Sequence, residues 1–378
     1  MVEPREGRAV THEPAHDWTS LTGLALIALA IVSVVLMVAW WRGGLRHKSR
    51  TQRVAALAGL TLFLCFDLVV FGAYTRLSDS GLGCPDWPGC YATSSPVAAA
   101  EHIAHAQALA PEGPVTEKKA WIEMIHRYFA MALGALIILM LVAAALARDA
   151  RARTLAGVTL AWVIAQGLFG ALTVTWKLYP AIVTGHLLGG MGLLALLAVQ
   201  APAPAAATAP RNALDRLALG LAALALLVQI ALGGWVSTNY AVLACTGFPQ
   251  CNGQWWPAMN WSEGFTVARE LGRRADGAPI AMSALVAIQW THRLFALVFT
   301  AAMGWLAARL WKRGNQSRRG AVIILGVVVV QWATGLSNVV LGWPLVAALA
   351  HTAGAAALVV CIGFEVAAAL NSRIRVSS

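Results

Sequence analysis

Residues 120–147 read AWIEMIHRYFAMALGALIILMLVAAALA. Bilayer hydrocarbon is about 30 Å thick, so a run of about 20 apolar residues at 1.5 Å each crosses it as a helix. This run is long enough, yet it carries Glu123, His126 and Arg127 near one end. An ionisable group in a spanning helix is costly, so it faces a protein interior and has a task there. One stretch therefore predicts a membrane fold and places a polar site inside it.

Working outward, eight further runs of similar length appear: 18 to 41, 54 to 75, 154 to 176, 178 to 199, 217 to 239, 281 to 311, 320 to 342 and 344 to 370. With 59% apolar and 12% charged residues, the 378-residue chain has too little polar surface for a soluble globule. Lipid cannot satisfy backbone N–H and C=O groups, and no stretch shows the alternation of a barrel strand, so the spans are read as helices.

Basic residues orient the chain, because cytoplasmic loops accumulate Lys and Arg. One set of loops holds most of them: Arg42, Arg46, Lys48, Arg50 and Arg53, then Arg148, Arg151 and Arg153, then Arg211 and Arg216. Arg309, Lys312, Arg313, Arg318, Arg319, Arg373 and Arg375 complete that side, which is read as cytoplasmic. The net charge of +11 is thereby a matter of topology, and a nucleic-acid partner is not expected. The leader is acidic (Glu3, Glu6, Glu13, Asp17) and the basic cluster follows the first span, so that span is read as an anchor with the N-terminus outside and the C-terminus cytoplasmic.

The chain is also duplicated. At an offset of 161 to 166 residues, Gly72-Ala73-Tyr74 faces Gly233-Gly234-Trp235, and CPDWPGC from Cys84 to Cys90 faces CTGFPQC from Cys245 to Cys251. His126-Arg127 faces His292-Arg293, Gln166 and Gly170 face Gln331 and Gly335, and His186 faces His351. Each copy holds four helices, an even number, so the copies share one orientation and an axis along the membrane normal. The expected fold is all-α and polytopic: two tandem four-helix bundles in a parallel repeat, with one extra N-terminal transmembrane helix. Its segments are 1–53 (tail, extra helix and basic loop), 54–199 (first half), 200–216 (cytoplasmic linker), 217–370 (second half) and 371–378 (cytoplasmic tail).

His126, His186, His292 and His351 each lie six to twelve residues after their helix begins at the outer face, on the second and fourth helices of each half. Two imidazoles can meet across such a bundle, as cofactor sites in bundles require. A single histidine of this kind is more often a hydrogen-bonded interior residue; its repetition reverses that preference. With no Cys or carboxylate completing a tetrahedral set in both halves, the pairs suit axial ligation of haem iron better than zinc. Arg127 and Arg293 follow the first histidine of each pair and suit haem propionates, with interfacial anchoring as the alternative.

The long loops at 76 to 119 and 240 to 280 lie outside, where an oxidising exterior favours disulfides Cys84–Cys90 and Cys245–Cys251. His102 and His105 offer an alternative metal set with Cys84 and Cys90, but the second copy has no matching histidines. Cys65 and Cys361 are read as small buried residues inside helices. The copies differ at Glu123, three residues before His126, which Gln289 replaces before His292; Arg76 similarly faces Ser237. A carboxylate beside one site and an amide beside the other points to proton-coupled chemistry in one and electron transfer in the other. The alternative for Glu123 is an anion favoured near a helix start. Asp67 and Glu365 are intramembrane acids without an assigned partner.

The segments GAYTRLSDSGLGCPDWPGC, EMIHRYFAMALG, VTGHLLGG, GGWVSTN, QWTHRLFALV and ALAHTAG resemble the haem A synthase family (COX15/CtaA-type) over most of 60 to 365. The resemblance implies a bacterial inner-membrane oxidoreductase that converts haem O to haem A for terminal oxidases. His126 and His186 would flank the iron of haem O as substrate, while His292 and His351 would ligate the iron of a haem b cofactor. Glu123 resembles the family's catalytic acid, and Arg76, Arg127 and Arg293 fall among the expected cofactor-binding residues. The implied partners, besides the bilayer, are a haem O synthase as haem donor, terminal oxidase assembly factors and an electron donor of unassigned identity. The family is usually described with eight helices, and the span at 18 to 41 departs from that pattern. The rival reading is a bis-histidine di-haem cytochrome b that moves electrons from quinol, and a parallel-repeat transporter is a third.

Overall fold

The computed structural model describes residues 19–46, 48–274 and 276–377, and the side chains within them other than those of 19 and 372–377. The leader acids Glu3, Glu6, Glu13 and Asp17 lie outside the described residues, as do the side chains of Arg373 and Arg375.

Among the described residues the chain forms eleven helices and no strand beyond isolated bridges. They are α1 (Thr19–Trp41), α2 (Arg50–Leu77), α3 (Ala100–Leu109), α4 (Glu117–Leu146), α5 (Ala150–Thr175), α6 (Pro180–Gln200), α7 (Ala213–Thr238), α8 (Trp261–Gly264), α9 (Met282–Trp311), α10 (Asn315–Val340) and α11 (Leu345–Ser377). Nine of these, all except α3 and α8, are long and apolar enough to cross a membrane. The protein is an all-helical, multi-pass membrane protein.

Several helices begin about a turn before the apolar run does, because polar residues cap them. Ser49 and Gln52 form a capping box on α2, and the Asp149 and Asn212 side chains accept backbone N–H bonds at the starts of α5 and α7. At the other end of the chain α11 continues to Ser377. Neither Gly nor Pro interrupts NSRIRVS, so nothing stops the helix at 370.

Helix packing recurs at the sequence offset. α2 packs on α4, α4 on α5, α5 on α6 and α6 on α2; likewise α7 packs on α9, α9 on α10, α10 on α11 and α11 on α7. The two circuits meet where α6 contacts both α7 and α11, and where α11 contacts α2. Equivalent positions touch each other at two levels. Arg76 Nη2 donates to the Ser237 carbonyl at 2.5 Å, between residues 161 apart. Nearer the basic end, a Cβ added at Gly363 would stand 2.7 Å from the Ala198 Cβ, so a missing side chain lets α6 and α11 close up.

α1 packs on α4, and its Leu24 joins a buried cluster with Cys84, Cys90, Ile103 and Met124. At the basic end, the buried Asp215 carboxylate accepts from Arg309 Nε at 2.8 Å and from Arg313 Nε at 3.1 Å. Arg313 also lies 3.7 Å from Glu365, which thereby has a partner that sequence alone does not supply. Asp67 is exposed on α2.

Candidate functional site

α4, α6, α9 and α11 bring His126, His186, His292 and His351 to the wall of one cavity of about 820 Å³. That volume falls within the span of roughly 300–1,000 Å³ usual for ligand pockets. The His292 and His351 rings stand 6.5 Å apart at 76°, and His126 lies within electrostatic reach of His186.

Glycine backs each imidazole. An added Cβ would lie 2.9 Å from His126 Nε2 at Gly72 and 3.4 Å from His186 Cε1 at Gly170. The equivalent Gly233 and Gly335 would place it 3.0 Å from His292 Cε1 and 3.1 Å from His351 Cε1. Gln166 and Gln331 nest against Gly189 and Gly354 in the same way, and Gln331 Nε2 donates to the His351 carbonyl at 2.8 Å. Repeated glycines thus keep the cavity clear up to the imidazole edges at both histidine pairs, and the part of it beside each pair forms one chamber.

Fixation of the rings differs between the chambers. Gln229 Nε2 lies 3.2 Å from His292 Nδ1, and the Thr334 hydroxyl lies 3.0 Å from His351 Nδ1. Leu68 and Phe169 occupy the matching positions in the first repeat. There, His186 Nδ1 is buried without a hydrogen-bond partner, and Phe71 stacks on His126 at 6.4 Å and 11°. Hydrogen bonds to a ligand imidazole fix its orientation and strengthen it as a donor. The second pair has that support; the first does not.

The cysteine loops roof the cavity. Disulfides Cys84–Cys90 and Cys245–Cys251 are both formed, and Trp87-Pro88 and Phe248-Pro249 from the loop tips line the cavity. With its sulfurs joined, the first pair cannot supply thiolates to His102 and His105, and His102 instead stacks on Tyr91 at 5.3 Å. Among the described residues no group of three or more His, Cys, Asp or Glu is arranged to hold a metal ion. Free Cys65 is buried and Cys361 half-buried.

The arginines beside the histidines hold these loops. Arg127 Nη1 donates to the carbonyls of Asp86 at 2.9 Å, Pro88 at 3.2 Å and also Gly89, while its Nη2 donates to the Glu123 carboxylate. Glu123, 4% exposed, takes the Cys84 N–H on its other oxygen at 2.8 Å. In the second repeat Arg293 donates to Cys245 at 2.7 Å and Gly247 at 3.0 Å, and Gln289 Nε2 donates to Val242 at 3.1 Å. All of these residues line the cavity apart from the loop cysteines, Asp86, Gly89 and Gly247. The clamp role depends on contacts with residues about 40 positions away, so helix spacing could not reveal it.

Arg76 closes the rim between the repeats. Its guanidinium sits 4.0 Å over the Tyr240 ring and 3.4 Å from Asp79, and the Tyr240 hydroxyl donates to Asp79 at 2.6 Å. Partial burial pushes the Tyr240 phenol up from its ordinary value, against the pull of Arg76, so it remains a donor at neutral pH.

The residues fit a haem in each chamber on three counts: paired imidazoles without a competing thiolate, glycines that leave the ring edges open, and buried polar atoms without a partner, His186 Nδ1 in the first and Gln289 Oε1 in the second.

Comparison with known proteins shows the family. A family model described as cytochrome oxidase assembly protein, COX15-CtaA, matches residues 55–362. A haem A synthase of Shewanella oneidensis is 36% identical over 310 residues, covering 81% of this chain and 93% of that protein. Haem A synthases of Halalkalibacterium halodurans and Rhizobium etli are 28% and 29% identical, covering 78% and 85% of this chain and 87% and 90% of their own lengths. A match of that extent, on a chain with the paired histidines and paired cysteine loops described above, establishes that the protein belongs to the COX15-CtaA family.

Proposed function

We propose that the protein is a haem A synthase of the bacterial inner membrane, an oxidoreductase that converts the methyl at ring position 8 of haem O to a formyl group. Methyl to formyl removes four electrons, in two successive two-electron oxidations through a hydroxymethyl haem to a hydrated aldehyde that loses water, and the oxidant that takes these electrons comes from outside the chain. The first half, 54–199, takes haem O as substrate between His126 and His186, and the second, 217–370, holds haem b between His292 and His351. Haem b, when bound, supplies a one-electron relay.

One observation carries this reading: Gln229 and Thr334 hydrogen-bond the imidazoles of one pair, while Leu68 and Phe169, which carry no side-chain donor or acceptor, occupy the matching positions in the other repeat. A resident cofactor is served by fixed ligands, and a substrate that must arrive and leave is served by freer ones. Gln229 Nε2 stands 3.2 Å from His292 Nδ1 and donates to the His292 carbonyl at 3.3 Å, and the Thr334 hydroxyl stands 3.0 Å from His351 Nδ1, so each imidazole of this pair is held at its Nδ1 edge.

Glu123 is the acidic group of the reaction. It is anchored by Arg127 and the Cys84 N–H, three residues from His126, and it manages protons beside the substrate. Arg76, Arg127 and Arg293 line the chamber at the cysteine-loop end and hold its roof, where their positive charge favours haem propionates. That end faces outward and the basic loops face the cytoplasm, with a haem O synthase upstream, oxidase assembly factors downstream and a separate electron donor.

Production of haem A tests the proposal. The protein, co-expressed with a haem O synthase in cells that make no haem A, should yield haem A by mass analysis of extracted haem. Membranes holding folded protein, haem O and haem b but no oxidised haem would overturn it.

A further inference from the structure

The two chambers also differ in their side walls. In the second repeat Trp332 of α10 lines the cavity and its indole N–H donates to the Thr300 hydroxyl of α9 at 2.9 Å, bridging the two helices. The equivalent positions in the first repeat are Gly167 on α5 and Gly134 on α4. A Cβ added at either glycine would meet nothing within 4 Å. Gly167 is exposed and also lines the cavity, so the first chamber opens sideways there. Ile164 and Leu168 beside it are 58% and 61% exposed, an apolar surface suited to lipid.

A tryptophan has in effect moved away from the opening. Trp162, five residues before Gly167, donates from its indole N–H to the Gly189 carbonyl of α6 at 2.8 Å. Its counterpart in the second repeat is Val327. The first repeat therefore places its indole between α5 and α6, whereas the second places one between α9 and α10.

The opening also lies at a useful depth. Gly134 is eight residues beyond His126 along α4, about 12 Å deeper into the bilayer, away from the arginine-bearing roof. A haem with its propionates toward that roof would turn its opposite edge toward the gap. Haem O differs from haem b by a long isoprenoid chain on that part of the ring, and the chain needs an apolar outlet that haem b does not.

We propose that the gap between α4 and α5 at Gly134 and Gly167 is a lateral port through which the isoprenoid tail of haem O passes from the chamber into lipid. The two glycines thereby select a tailed haem for the first repeat, and Thr300 with Trp332 excludes it from the second. This rests on the assignment of haem O to the first repeat.

Competition between haem O and haem b for the full-length protein in lipid nanodiscs tests the port, with bound haem extracted and weighed by mass spectrometry. Gly134→Thr with Gly167→Trp should lower haem O uptake at least about tenfold, a loss equivalent to fewer than two buried methylene groups. Haem b uptake should be unchanged. The reverse pair, Thr300→Gly with Trp332→Gly, should let the second repeat accept haem O, raising haem O per chain towards two. Uptake of haem O by the first variant within about twofold of the parent overturns the port, as does equal loss of both haems. Should that variant fail to assemble, the reverse pair decides: unchanged haem composition rejects the port. The outcomes separate from those of the functional reading, because tail selection that follows the glycines in a protein making no haem A would keep the port and discard the synthase.

Discussion

Gln229 and His292 are joined across α7 and α9 by a side-chain contact of 3.2 Å, at positions where the first repeat has Leu68 and His126. The duplicated chain has thus kept its imidazoles and changed what steadies them. Loss of such a partner typically lowers metal affinity about 10- to 100-fold. Gln229→Leu should weaken haem b retention by that order without unfolding the protein, seen as a reduced low-spin haem b signal per chain after detergent washing. An unaltered signal would deny Gln229 this role.

Glu123 binds Arg127 and the Cys84 N–H, so its substitutions separate chemistry from structure. Glu123→Gln retains an oxygen for the Cys84 N–H and should keep bound haem while unconverted haem O accumulates. Either substitution removes the counter-charge of buried Arg127, at a cost of about 3–5 kcal/mol, and Glu123→Ala in addition leaves the Cys84 N–H unpaired, at about 1–3 kcal/mol more. Thermal unfolding should therefore separate the two variants, and undiminished haem A output from Glu123→Gln would remove the residue from the reaction.

Asp215 is 2% exposed and serves two guanidiniums, those of Arg309 and Arg313, while Glu365 stands 3.7 Å from Arg313. The first repeat has Val54, Ala143, Ala147 and Gln200 at the matching positions, so this network belongs to the second repeat alone. Asp215→Asn leaves half-buried Arg309 without a carboxylate and buried Arg313 with Glu365 alone, 3.7 Å away, and should cost about 3–5 kcal/mol. Haem composition of the surviving folded protein should stay unchanged, because the network lies at the end opposite the roof. A selective loss of one haem would contradict that separation.

Much of this could be read before any coordinates. The nine spans, the offset repeats and the four histidines follow from apolar length and internal comparison, and both cysteine pairs are disulfides as expected. Harder to see were partners that close only in space. Arg127 and Arg293 clamp loop carbonyls about 40 residues away, and Glu365 meets Arg313 across helices. No helix periodicity reports such contacts. α3 was missed because Ala99 caps it without a side-chain hydrogen bond, leaving no starting signal. The differences that matter most were nevertheless visible in principle: Leu68 against Gln229, Phe169 against Thr334 and Gly167 against Trp332 emerge once the copies are aligned. Their meaning required the spatial contacts of Gln229 with His292 and of Thr334 with His351, and the places of Gly167 and Trp332 in the cavity wall.

We propose that two related chambers hold different haems. Mass analysis of haem extracted from the purified protein and from two paired variants tests it most directly. His126→Ala with His186→Ala should abolish haem O and its oxidised products while haem b stays, and His292→Ala with His351→Ala should remove haem b. Two unmodified haem b groups in the parent protein, one lost with each pair, would instead make it a di-haem electron carrier and contradict the account.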